Sequence, residues 1–210
     1  MSAISKALYI AVEGPIGVGK TTLTKMLVEY LDGSPLFEEF EENPFLEKFY
    51  ADRHSVAFQT QIFFLLSRFK QQQRVRQQDL FNRTIISDYL FAKDRIFATL
   101  NLDSDELALY DKVYELLDMR VHKPDLVVYL FAPLEILLQR IARRGRSYER
   151  CIEAEYLRKL STAYHHFFYR FKDIPVLSID TADIDPVSKA EDKVALLERV
   201  LSSVPVAHHD

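Results

Sequence analysis

Residues 14–22 read GPIGVGKTT, with the G-x-x-x-x-G-K-T spacing of a phosphate-binding loop. No other stretch restricts the possible folds so tightly. Such a loop needs a strand to deliver it and a helix that starts directly behind it, so that backbone N–H groups and the helix N-terminus converge on one anion. The flanks meet that demand: 8–12 (LYIAV) is an apolar run, and 21–31 has helical periodicity closed by Asp32-Gly33. Gly14, Gly17 and Gly19 let the backbone wrap a β-phosphate without a Cβ in the way, and Pro15, Ile16 and Val18 complete the loop. Lys20 can bridge β- and γ-phosphates, the Thr21 hydroxyl can ligate Mg²⁺, and Thr22 follows on the helix.

Further short runs at 35–39, 84–88, 125–131 and 176–180 alternate with helical patterns at 44–50, 56–78, 104–120, 134–143, 153–171 and 186–201. Their mostly continuous apolar character suits strands buried on both faces of a parallel sheet. The alternation implies an α/β fold, a five-stranded parallel sheet flanked by helices on both faces, in one domain spanning 1–210. Ser104 is the candidate cap of its helix. A net charge of −4 argues against nucleic acid or an anionic membrane as partner. No apolar run reaches the ~18 residues of a membrane span, and the first residues lack a signal-peptide layout, so a cytoplasmic protein is expected. Cys151, the single cysteine, excludes intrachain disulfides and a cysteine metal site. The triplet Asn82-Arg83-Thr84 is read as a chance glycosylation match, and the six histidines form no metal or catalytic constellation.

The acceptor of the phosphoryl group has to bind near the γ-phosphate, at the carboxyl ends of the strands. There the second strand runs into Phe37-Glu38-Glu39-Phe40-Glu41-Glu42-Asn43-Pro44. An acceptor already carrying phosphate would be repelled by this segment, whereas a neutral hydroxyl gains from a carboxylate that orients it and accepts its proton. Glu38 is the natural base, and Glu41 and Glu42 lie further out. The third strand ends in Asp88, where a carboxylate for Mg²⁺ is expected. Arg140, Arg143, Arg144 and Arg146 crowd the end of a helix beside Gly145. Their planar forks suit a transferring phosphoryl group, and a mobile arginine lid would exclude water.

In this order the pieces resemble the deoxynucleoside kinase family: the deoxycytidine, deoxyadenosine and deoxyguanosine kinases and their insect and mitochondrial relatives. The likeness runs from Tyr9 to about Leu201. It implies a P-loop kinase fold with an arginine lid, ATP and Mg²⁺ as cofactors, and a deoxynucleoside phosphorylated on its 5′-hydroxyl. Glu38-Glu-Phe-Glu-Glu-Asn-Pro-Phe-Leu46 is similar to the family's Glu-Pro-Val-x-x-Asn-Pro-Phe-Leu, which makes Glu38 the implied general base. Tyr50 falls where the family grips the sugar 3′-hydroxyl, and Arg144-Gly145-Arg146-x-x-Glu149 is similar to the lid signature whose Glu joins it. Gln61 and Arg68 match a base-reading Gln and an Arg seven residues on, and Asp94 matches the aspartate that partners this Arg over the base. That set implies adenine, guanine or cytosine rather than thymine. Phe58, one turn from Gln61, is a candidate stacking ring, while Phe63, Phe64 and Phe69 read as core. Lys20, Arg140, Arg144 and Arg146 are the implied stabilisers of the transferred group. The family often forms homodimers, and the apolar faces at 63–66 and 107–117 suit that role as well as they suit an ordinary core.

There is one clear departure. The family's Glu-Arg-Ser after the third strand reads Asp88-Tyr89-Leu90, so the arginine that steadies base and acceptor is missing. Either another arginine replaces it or Glu38 works without it. A Pro is also replaced by Glu39. The nearest rival is a nucleoside monophosphate kinase of the thymidylate kinase type, which typically has Asp-Arg after the third strand. A P-loop switch is the rival from another class, but four clustered arginines have no purpose there.

Overall fold

The computed structural model describes residues 8–78 and 84–204. Asn82 and Arg83 of the triplet, and His208 and His209, lie outside them. The strands are β1 (Tyr9–Glu13), β2 (Ser34–Leu36), β3 (Ile85–Ser87), β4 (Leu126–Phe131) and β5 (Val176–Asp180). They form one parallel sheet in the order β2-β3-β1-β4-β5. β1 is central, with Ile10 beside Ile86 on one side and Leu126 on the other. All five of its residues are buried, so both faces are covered, as its unbroken apolar sequence requires. Ile10, Ala11 and Val12 are fully inaccessible to solvent. The α/β expectation of a five-stranded parallel sheet flanked by helices holds.

The helices are α1 (Lys20–Leu31), α2 (Leu46–Ala51), α3 (Arg53–Gln78), α4 (Asp94–Asn101), α5 (Ser104–Asp118), α6 (Leu134–Arg144), α7 (Ala154–Arg170) and α8 (Ala190–Ser202). α1 packs on β1 and β3 and meets α8, while α4 and α6 pack on α7. Four details depart from the sequence reading. β2 ends at Leu36, so Glu38 stands beyond the strand; Leu36 O accepts the last ladder bond from Asp88 N, and Glu38 N donates instead to Asp88 Oδ1. α4 was not foreseen as a separate helix. The cap of α5 is Asp103, not Ser104: its Oδ1 accepts from the N–H groups of Asp105 and Glu106, and Glu106 returns a bond to Asp103 N. α3 loses helical geometry at Val56 (φ −142°, ψ 19°), the residue at which a helix was expected to begin.

Gly14 leaves β1 at φ +153°, and a Cβ there would stand 2.2 Å from the Leu130 carbonyl oxygen of β4. The loop is thus pressed against the sheet edge with no room for a side chain. Gly14→Ala should lower unfolding free energy by about 2–4 kcal/mol from overpacking and backbone strain, read from urea denaturation; a loss within measurement error would contradict this packing.

Candidate active site

The phosphate-binding loop joins β1 to α1, as its motif demanded. Gly17 adopts φ +86° with a built Cβ 2.9 Å from Leu137 O, so α6 too approaches the loop backbone. The Lys20 ammonium donates to Gly14 O at 2.8 Å and Pro15 O at 3.2 Å. Burial lowers its pKa, and the charges of Glu13, Glu38 and Asp88 oppose that loss. A cavity of about 870 Å³ opens above the loop, lined by Gly17 to Leu23, the arginines of α6 and residues 181–187. Its size suits a nucleotide.

Arg140 takes an unexpected place. Its guanidinium donates to Val18 O at 3.3 Å, Thr181 Oγ1 at 2.8 Å, Thr181 O at 2.6 Å and Ile184 O at 3.4 Å. Every one of these acceptors belongs to the phosphate loop or to the β5–α8 loop, so the fork ties those two loops together at the wall of the same cavity.

Thr21 and Asp88, expected around a metal, meet: the Thr21 hydroxyl donates to Asp88 Oδ2 at 2.7 Å, and Asp88 Oδ1 accepts Glu38 N at 2.8 Å. Burial raises the pKa of Asp88, and the Thr21 bond opposes it. Glu38 itself is held at both oxygens. Oε1 accepts from Arg68 Nε at 2.9 Å and from Arg68 Nη2, and Oε2 accepts from Lys93 Nζ at 2.6 Å. Burial would raise its pKa, but Arg68 and Lys93 together win and hold it well below the usual carboxylate range. This carboxylate therefore contributes stability throughout neutral pH and loses it only as pH falls towards that depressed value. Gln71 Nε2 fixes the preceding residue by donating to Phe37 O at 3.1 Å.

The expected base-reading group also assembles. Arg68 pairs with Asp94 through Nη1, and both side chains are almost fully buried. Gln61 is 2% exposed, and its Oε1 has no hydrogen-bond partner; Asp94 Oδ2 has none either. Buried polar atoms without partners are unfavourable, and beside these the described residues hold others on Gln71, Gln72, Tyr110, Tyr148 and Ser161. Phe58 packs on the cluster of Leu65, Phe91 and Tyr110, with part of its ring left accessible. Phe69 joins the same cluster, whereas Phe63 and Phe64 are only half-buried and Phe64 lies 4.6 Å under the Arg68 guanidinium.

At the end of α6, Gly145 caps the helix at φ +71° and turns the chain back towards α2. Glu149, 5% exposed, accepts from Arg144 Nε at 3.0 Å and from Arg144 Nη2, and Arg146 Nη1 stands 3.6 Å away. Tyr148 stacks on Tyr50 at 6.0 Å and leans on Phe40 at 6.2 Å, while Arg146 lies 4.3 Å over the Phe40 ring. Burial raises the Tyr50 pKa, and the neighbouring Tyr156, Glu149 and Tyr148, with Glu38, push it the same way. Glu41 and Glu42 are exposed in a 3-10 turn.

Three participants were missed from sequence. Glu13, fully buried, accepts from Gly14 N, Leu90 N and the Tyr164 hydroxyl. Lys93 is 2% exposed. Tyr148 links the arginine segment to α2. The one visible signal was charge inside apolar runs: Glu13 directly after LYIAV, and Lys93 beside Asp94.

A phosphate-binding loop facing a buried, cation-held carboxylate defines a phosphotransferase of the P-loop kinase fold. The deoxynucleoside kinase family model matches residues 10–205, and the chain belongs to that family. It is 39% identical over 185 residues to the deoxyguanosine kinase of Bacillus subtilis, covering 87% of this chain and 89% of the relative. It is 38% identical to the deoxyadenosine kinase of Dictyostelium discoideum, covering 87% and 76%. Among solved structures, deoxyadenosine kinase from M. mycoides with bound dATP superposes with a TM-score of 0.80 at 28% identity, covering 92% of this chain and 99% of that one.

Arg68→Ala would strand Glu38 and Asp94 as buried carboxylates with fewer partners. It should cost about 3–5 kcal/mol at neutral pH. The deficit should shrink as the pH is lowered, because protonation relieves the stranded charges; urea titrations at several pH values measure both effects.

Proposed function

We propose that the protein transfers the γ-phosphoryl group of ATP to the 5′-hydroxyl of a purine deoxynucleoside or deoxycytidine, within a single domain and in the setting of cytoplasmic nucleotide salvage. The observation that carries this reading is a chain of two hydrogen bonds: Thr21 to Asp88 at 2.7 Å, and Glu38 N to Asp88 at 2.8 Å. It fixes the candidate base to the phosphate loop. The 5′-hydroxyl passes its proton to Glu38 while its oxygen bonds the γ-phosphorus, and ADP leaves. An ionised Glu38 is ready for that proton, and its distance from bulk water strengthens every charge interaction around it.

Thr21 and Asp88 offer a hydroxyl and a carboxylate, oxygen donors of the kind Mg²⁺ takes beside phosphate oxygens. They would hold the ion, and when bound it neutralises charge on the phosphates. Lys20, Arg144 and Arg146 serve the transferring group, the last two as a lid, and Arg140 sets the loop against which the donor rests. Tyr50 and Glu149 grip the sugar 3′-hydroxyl, and Gln61, Arg68 and Asp94 read the base, with Phe58 along its edge. A monophosphate acceptor fits poorly, because Arg68 is already bonded to Glu38 and Asp94. A homodimer is proposed through α3 and α5, where Leu66, Leu109, Leu116 and Met119 are 48, 52, 63 and 76% exposed.

Glu38→Gln should cut turnover by roughly two to four orders of magnitude, as general-base losses do, and leave ATP binding intact. ADP release in the presence of deoxynucleosides, of monophosphates and of no acceptor tests the whole reading. Turnover confined to monophosphates would refute it.

A further inference from the structure

The family's missing arginine leaves a question that the fold answers. Ser87 Oγ donates to Tyr89 O at 2.7 Å, and the Tyr89 ring turns fully into the interior beside Gln72 and Tyr9. It takes no part in holding Glu38. One turn later, a 3-10 segment (Phe91–Lys93) delivers Lys93. Its ammonium lies 5.8 Å over the Tyr89 ring, 2.6 Å from Glu38 Oε2 and 3.9 Å from Glu13 Oε2. An ammonium this deeply buried is costly unless carboxylates surround it, so its position is fixed by the two it meets.

The geometry points to Lys93 as a positioning residue that holds and aims Oε2 of the base Glu38, in the place the family gives to the arginine at Tyr89. This rests on the reading of Glu38 as the base. Arg68 grips only Oε1 and divides its fork with Asp94. Lys93 is the one cation on Oε2 among the described residues. The other titratable groups that feel the charge of Glu38 are Lys20 from α1, Tyr50 from α2, Asp88 after β3, Tyr89 beside it and Tyr164 from α7. Of these, Lys20 alone is cationic, and its ammonium is bonded to loop carbonyls.

The test compares Lys93→Met and Lys93→Gln with Glu38→Gln, measuring turnover, KM for ATP, and recovery by added ethylammonium. Misaiming a reacting group costs about a hundredfold, and a loss of that order in kcat is expected with KM for ATP little changed. Ethylammonium should restore part of the rate, and Lys93→Arg should keep more activity than either neutral variant. A purely structural lysine would lower the melting temperature and leave kcat unresponsive to the amine, and that result overturns the assignment. If Lys93→Met does not fold, the amine response of Lys93→Gln decides by the same criteria. Glu38→Gln separates the two readings: activity in that variant removes the base itself, whereas an inactive Glu38→Gln beside a Lys93→Gln that the amine does not rescue removes only the role of Lys93.

Discussion

Charge buried at the carboxyl edge of the sheet is the constraint on which this molecule depends. Glu13, Glu38, Asp88 and Asp94 stand there with Lys20, Arg68 and Lys93 among them. Any one of these taken from water alone would be strongly unfavourable, so each requires its partners to be in place. Because the partners come from α1, α3, α4, α7 and three strands, the charges hold the elements in register. Glu13 alone joins the phosphate loop, the segment after β3 and α7. The same arrangement serves chemistry, since a network satisfied by fixed neighbours needs little rearrangement when a substrate arrives.

The strand order divides the labour. β1 lies between β3 and β4, so the crossovers leave in opposite directions and open a crevice at its carboxyl end. Residues attributed to the acceptor come mostly from the β2–β3 side, namely Glu38, Tyr50, Gln61, Arg68 and Asp94, with Glu149 joining them from the segment after α6. Those around the donor come from the β4–β5 side, where Arg140 on α6 meets the loop after β5. The phosphate loop, at the carboxyl end of β1, borders both.

Sequence reading found all five strands; β1, β3 and β4 are buried on both faces and stand out as largely apolar runs, while β2 and β5 are more exposed. It overran β2, where Pro35 lacks an N–H and the chain leaves the ladder two residues before Glu38. It gave no helix at α4, since eight residues give little more than two turns of periodicity. It placed the Arg68–Asp94 pair correctly through a motif. It did not find Glu13 or Lys93, nor the loop-tying bonds of Arg140. Apart from the bond of Gly14 N to Glu13, their hydrogen-bond partners lie 41 to 151 residues away along the chain, and only the folded topology brings them together. Local sequence records which side chain is present, not what it will meet.

Glu149 carries a single charge and has claims on it from two sides. Arg144 and Arg146 engage it from the helix end, and Tyr148 beside it lies flat against Tyr50 on α2. On the proposed reading, a sugar hydroxyl that drew on that carboxylate would compete with the guanidinium groups for it, and a phosphoryl group that recruited those guanidiniums would free it. The two halves of the crevice would then be connected vessels: filling one would alter the level in the other, through one acid and one stacked pair of rings.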